Sequence, residues 1–331
     1  MWSRLALAGA IFLVFAASLF VDVRAPRRRA SPGGQLASVG QLPVAEGGGD
    51  IFLEAATALD LAPRRNWQTA NFETLSRAAV AVLLARGERK NDRILLQKNL
   101  LERVPIASIT KLMTAIVALD YDEALPFAEP AVISRQAATT EGQSAGLMMG
   151  ERLAAQDLLG LMLVASANDA AVALAEHVGQ VVARPGEDSV AAFVRLMNDH
   201  SRMLGLTDTS FANPAGLDDP NNYSTAADLV ELVKISRQYP AIWAELAKSS
   251  LDIASLEGRK HHVQSTDDLL GVLPGFEGGK TGFTSEAGGS MVAVTRIGPH
   301  GEEVVTVVLG SADRFGETRR LIEWLGQAYL W

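Results

Sequence analysis

The 331-residue chain contains no cysteine, which excludes disulfides and thiolate metal sites. A disulfide-free chain suits the cytosol and a bacterial envelope equally, so the compartment is not fixed by this absence. Positive charge is not in excess either. With 30 Lys and Arg against 38 Asp and Glu, the formal charge is -8, and no basic surface is offered to nucleic acid. Histidine is scarce at 5 residues, and only His261 and His262 are neighbours. That pair has no third ligand at metal-site spacing, and His177, His200 and His300 are scattered. A zinc hydrolase is therefore not supported, and these histidines are expected on the surface. No segment repeats with a fixed period.

What is present suffices for one large catalytic domain and an N-terminal appendage, with 48% hydrophobic and 21% charged residues. Leu5 to Phe20 (LALAGAIFLVFAASLF) is uncharged and follows Met1 and Arg4. It is short for a spanning helix and long for a signal-peptide core. Hydrophobicity all round such a helix implies apolar surroundings. Arg24, Arg27, Arg28 and Arg29 follow it, a flank that the positive-inside rule keeps in the cytoplasm. A twin-arginine signal is excluded, because its arginines would precede the apolar run. The expectation is an export signal over 1–23, retained as an anchor or cut after Ser18. Residues 24–76, rich in Arg, Pro, Gly and Ala in their first half, read as a tether with a short helix near Ile51 to Ala62. The catalytic domain is expected over 77–331.

Within that domain, Ala79 to Leu84 and Arg93 to Gln97 read as two strands of a hairpin, and Ser290 to Arg296 with Glu303 to Leu309 as another. Between the hairpins, apolar residues recur at three- and four-residue steps. They predict helices over Ile109–Asp120, Ala154–Val164, Ala167–Val178, Ser189–Leu204 and Thr225–Arg237, with a last one over Asp313–Leu330. Strands from both ends around a helical block indicate an α+β domain, an antiparallel sheet with helices on both faces.

Three short motifs lie in order along this frame. In Ser108-Ile109-Thr110-Lys111, a loop enters a helix, so Ser108 sits where unpaired N–H groups favour developing negative charge. Lys111 lies one turn along and reaches back to the hydroxyl. Alone, these would be an N-cap and a solvated lysine. A lysine acts as a base only if its pKa is lowered, by burial or by a second cation. Ile106, Ile109, Leu112 and Met113 supply burial, and Lys280 is the candidate cation. Ser166-Ala167-Asn168 stands at a junction between two helices, where the polar pair either caps the second helix or relays a proton and binds an amide. In Gly279-Lys280-Thr281-Gly282-Phe283, glycines on both sides make sense where another backbone comes close. Lys280 and Thr281 would bind a carboxylate.

Pro105 to Ala115 (PIASITKLMTA) closely resembles the active-site stretch of the low-molecular-mass penicillin-binding proteins, the D-alanyl-D-alanine carboxypeptidases. Ser166 to Ala171, Gly279 to Thr284, Phe193 to Asn198, Leu204 to Phe211, Gly216-Leu217 and Tyr223 to Leu229 resemble the same family. The similarity covers about residues 77–331. It implies a β-lactamase/transpeptidase-like fold with a helical subdomain, in the extracytoplasmic envelope of a bacterium. The implied reaction needs no metal or cofactor. Ser108 would attack the peptidoglycan stem peptide between its two D-alanines, with Lys111 as base, Ser166 as relay and Asn168 beside them. Backbone N–H groups of Ser108 and Phe283 would form the oxyanion hole, while Lys280, Thr281 and Gly282 complete the substrate side. β-Lactams would acylate Ser108 by the same route.

Two departures matter. No room is left for the C-terminal β-domain and amphipathic anchor of many relatives, so membrane attachment is expected through the N-terminal run. Phe283 stands where several relatives carry a polar side chain, which bears on substrate preference and deacylation. A class A β-lactamase is disfavoured, since its Glu-x-x-Leu-Asn stretch is missing and no Leu-Asn pair occurs in the chain. A D,D-endopeptidase acting on cross-links stays open, as does a non-catalytic sensor of muropeptides or β-lactams.

Overall fold

A computed structural model describes residues 63–86, 91–121 and 129–331. The expected anchor, most of the tether and the short helix near Ile51 to Ala62 lie outside them. Five antiparallel strands form the main sheet. They are β1 (Ala78–Leu83), β2 (Arg93–Lys98), β5 (Phe276–Thr284), β6 (Gly288–Ile297) and β7 (Glu302–Ser311), in the order β5-β6-β7-β1-β2. A separate hairpin pairs β3 (Ser250–Ala254) with β4 (Lys260–Gln264). Both hairpins read from the sequence are present.

The helices are α1 (Lys111–Asp120), α2 (Ala155–Val164), α3 (Asn168–Val182), α4 (Ser189–Met203), α5 (Ala226–Ser236), α6 (Pro240–Leu246) and α7 (Arg314–Ala328). Polar side chains fix several of their starts. Asp188, Thr225 and Asp313 accept the backbone N–H groups of Ala191, Asp228 and Gly316, satisfying donors that a helix N-terminus otherwise leaves free. Pro240 at the first turn of α6 needs no such partner.

Strand alternation sorts the core into layers. Val80, Val82, Val292, Val294, Val305 and Val307 face the helical block and pack with Ile109, Leu112, Ile116, Leu158 and Leu174. The opposite face carries Ala81, Leu83, Val304 and Val308 against Leu321 and Leu325 of α7. β1 is buried along its whole length, as a strand covered on both faces must be. Removing a core leucine such as Leu158 would cost about 2–5 kcal/mol. Helices therefore cover both faces, as the α+β reading requires.

Residues 64–76, counted with the tether in the sequence reading, run along α7. Glu317 accepts the N–H groups of Leu75 and Ser76, and Arg64–Arg65 pairs with Tyr329–Leu330. His261 corrects an expectation: it is buried at 6% exposure, while its neighbour His262 is exposed. Strand alternation sends the two rings to opposite faces of β4. Among the described residues, no helix is long and apolar enough to cross a membrane.

Candidate active site

Ser108 does not open an α-helix as expected. It lies in a 3₁₀ turn, Ala107–Thr110, that runs into α1 at Lys111. Side chains three apart eclipse one another in a 3₁₀ turn, which aligns Lys111 with Ser108 more closely than α geometry would. The Lys111 Nζ is 2.8 Å from the Ser108 Oγ. The turn is entered through Ala107 in the left-handed region at φ 48°. Gly216 backs it: a Cβ there would lie 2.0 Å from the Ala107 carbonyl oxygen, so only glycine fits.

Ser108 is half-buried, whereas Lys111 has no exposed surface. Its amine also meets the Asn168 Oδ1 at 2.7 Å and the Ala215 carbonyl at 2.6 Å. A neutral amine has two N–H donors and one lone pair. Two donors point at two fixed acceptors, and the lone pair is left for the Ser108 hydroxyl. Burial holds Lys111 well below the usual lysine range, Lys280 adds to the lowering, and Asp169 opposes it. Such an amine can take a proton from Ser108.

Ser166 follows α2 in the left-handed region at φ 58°. A serine held there without glycine's freedom is a local strain of the kind that functional sites retain. Asn168 does not cap α3; it is the first residue of that helix, and Ala167 in the capping position makes no side-chain bond. Its side-chain amide donates to the Glu141 carbonyl at 2.7 Å, and its backbone N–H to the Gln143 carbonyl at 2.7 Å. The next residue, Asp169, accepts the N–H groups of Ala145, Leu147 and Ala170 and the Ser144 hydroxyl. Segment 141–147 is thereby tied to the start of α3.

β5 is an edge of the sheet and carries the third motif. Lys280 and Gly282 pair with Val292 and Ser290, while Thr281 pairs with Met291 and its hydroxyl lies 2.7 Å from the Thr266 Oγ1. The Lys280 Nζ donates to the Ser166 Oγ at 2.9 Å and to the Thr281 carbonyl at 3.0 Å. Burial pushes this amine down to about 7; Asp267 opposes the shift and Arg314 reinforces it. Gly282 lets the strand meet the Ser108 turn, because a Cβ would sit 3.0 Å from the Ser108 N and from the Ala107 Cβ. The Phe283 side chain is 66% exposed. With a strand partner on one side only, β5 can take an extended peptide as a further strand.

All eight residues named from the motifs thus fall in one region, where the Lys280 charge acts on Lys111. Sequence reasoning missed the Ala215 carbonyl and the pair Asp267 and Arg314 beside Lys280. Nothing in their local sequence marks them. Among the described residues, no group of three or more His, Asp or Glu is placed to hold a metal.

An antiparallel sheet with a serine, two buried lysines and an asparagine at its edge defines a serine acyl-transfer enzyme without histidine. The D-alanyl-D-alanine carboxypeptidase family matches residues 68–313, and the chain belongs to it. A D-alanyl-D-alanine carboxypeptidase of Bacillus subtilis, DacF, is 30% identical over 263 residues, 78% of this chain. The chain spans 64% of that relative's length. A D-alanyl-D-alanine endopeptidase of Escherichia coli is 32% identical over 281 residues, covering 81% of this chain and 84% of the relative. Among solved structures, penicillin-binding protein D2 of Listeria monocytogenes in a cefotaxime-bound form superposes with a TM-score of 0.64 at 30% identity, over 77% of this chain and 98% of that one.

Proposed function

We propose that the chain is a serine-type D,D-carboxypeptidase that removes the terminal D-alanine from peptidoglycan stem peptides. The observation that carries this reading is the Lys111 amine, buried and presented to Ser108 with its other partners already fixed. Ser108 Oγ attacks the carbonyl carbon of the penultimate D-Ala and gives its proton to Lys111. The oxyanion is held by the backbone N–H groups of Ser108 and Phe283. Collapse breaks the C–N bond, and the leaving amine takes a proton through Ser166. Lys280 and Thr281 bind the substrate's terminal carboxylate, with Gly282 keeping the strand close. Water then hydrolyses the ester, releasing the shortened stem peptide and restoring Ser108. β-Lactams acylate the same serine. The enzyme works outside the cytoplasm in the bacterial envelope, its catalytic domain of residues 77–331 flanked by the 64–76 segment along α7 and held by the N-terminal segment.

A second reading is favoured by the Escherichia coli relative, an endopeptidase matched over more of its length than the Bacillus carboxypeptidase. The same serine would then cleave the D-alanyl bond of a cross-link. Free D-alanine released from a pentapeptide ending in D-Ala-D-Ala, measured beside a cross-linked muropeptide, separates the two. Release from the pentapeptide supports the carboxypeptidase. Cleavage of the cross-linked substrate alone replaces it with the endopeptidase, and no turnover on either leaves a sensor. Ser108→Ala should abolish covalent β-lactam labelling in a folded protein, and labelling that survives would mean another nucleophile.

A further inference from the structure

His261 on β4 and Glu151, just before the strand Arg152–Ala154, are charged side chains outside the reaction described above, yet only 6% and 5% exposed. The His261 Nε2 is 2.7 Å from the Glu151 Oε1, and its Nδ1 is 3.1 Å from the Ala145 carbonyl oxygen. Both neighbours of the ring are acceptors. Making both bonds therefore requires hydrogen on both nitrogens, the imidazolium form. Glu151 is equally committed as an acceptor, since its Oε2 takes the Met148 N–H at 2.9 Å. Burial pushes this carboxyl up, but the bonds from His261, the Met148 N–H and Ser255 outweigh it and hold the group below its ordinary value.

Ala145 connects this pair to the reaction. Its carbonyl accepts from His261, while its N–H donates to Asp169 at 3.1 Å. Asp169 adjoins Asn168, which grips the Glu141 and Gln143 carbonyls on one side and Lys111 on the other. Segment 141–147 is thus pinned by α3 at one flank and by His261 at the other. We propose that the His261–Glu151 ion pair is a positioning device for Asn168, clamping segment 141–147 so that the Asn168 Oδ1 stays on the Lys111 amine. This inference rests on the proposed roles of Ser108 and Lys111.

The charged groups around the ring are few. Arg259 lies 3.8 Å from the Glu151 Oε1, and Asp169 sits beyond Ala145. The His262–Asp252 pair of this hairpin is solvent-exposed, as is the pair of Arg152 with Glu257 in the hairpin's turn. Removal of the ring leaves the Ala145 carbonyl and the Glu151 carboxylate buried without this partner, and the clamp opens.

The test is the single-turnover rate at which a fluorescent penicillin acylates Ser108 in the full-length protein. His261→Ala should slow acylation by roughly 10- to 100-fold, the effect of a small misplacement of a reacting group. Added imidazole should restore the rate at about pH 6, where it carries both protons. Pyrazole has the same shape but does not donate from both nitrogens under these conditions, and should not restore it. An unchanged rate in His261→Ala, or equal rescue by the two rings, overturns the proposal. Should His261→Ala fail to fold, Glu151→Gln carries the test. It keeps the shape but cannot accept from His261 and Met148 together, so roughly tenfold slowing is expected, and a wild-type rate overturns the clamp. Wild-type protein that takes no label at all removes the Ser108 reading first, which is a separate result.

Discussion

Lys111 and Lys280 are both fully buried lysines, yet their amines meet different surroundings. Lys111 has three oxygen partners, two of them pure acceptors in fixed positions. Lys280 has a hydroxyl and a carbonyl, with Asp267 and Arg314 acting on it from a distance. Burial and the Lys280 charge favour the neutral Lys111 amine, and its two fixed acceptors leave the lone pair facing one hydroxyl. Lys280 is held near the point where it gains or loses charge around neutral pH. Burial alone does not assign a role. Burial lowers both amines, and the fixed acceptors decide where the lone pair of the neutral amine points.

Breaking the Lys111 side of this comparison should have the largest effect. Lys111→Ala removes the proposed base, so acylation of Ser108 by a β-lactam should fall roughly 10²- to 10⁴-fold. Far-ultraviolet circular dichroism should show the fold retained, because the variant also removes a buried polar group. A near-normal acylation rate would assign the base elsewhere.

Lys280→Met tests the other side. The variant loses a charged hydrogen-bond donor for the carboxylate, worth about 2 kcal/mol or roughly 30-fold in acylation by carboxylate-bearing substrates. In the wild type, acylation should decline as pH rises past about 7 and Lys280 loses its proton. That alkaline limb should vanish in Lys280→Met. Stability should respond with its own sign. Lys280 holds its proton less tightly when folded, at about 7, than at the ordinary 10.5 of an unfolded lysine. Between those values the unfolded chain binds more protons, so folding stability rises with pH across that window. Urea titrations at several pH values should show a shallower rise in the variant. An unchanged slope would mean that Lys280 is not the group responsible.

Much of this arrangement was legible before any coordinates. The helices over 155–164, 189–203 and 226–236 follow from apolar spacing, and both hairpins from short apolar runs separated by turns. The motif residues converge as their chemistry suggested. What stayed hidden depends on tertiary placement. Nothing local marks the Ala215 carbonyl or Arg314, since each acts through a fold that brings distant segments together. His261 reads as an exposed histidine because it alternates with His262 in a polar strand. Only the loop packed against that strand, with Glu151 and Ala145 facing the ring, encloses it. The β3–β4 hairpin and α6 escaped for a related reason, being short and weakly patterned.

The comparison sharpens most at Gly282, where the strand bearing Lys280 touches the turn bearing Ser108. A Cβ there would stand 3.0 Å from the Ser108 N, tighter than most real contacts, so Gly282→Ala pushes β5 away by a few tenths of an ångström. The Ser108–Lys111 pair is internal to one turn and its helix, and it does not depend on that contact. Displacement should therefore weaken only what β5 supplies: the carboxylate grip and the Phe283 N–H. Acylation by a penicillin should fall about tenfold, less than for either lysine variant. Reaction with a small sulfonyl fluoride lacking a carboxylate asks mainly for an activated serine, and its rate should drop less. If both reagents slowed equally, the serine itself would have moved, and the two lysines would not be separable contributors to the site.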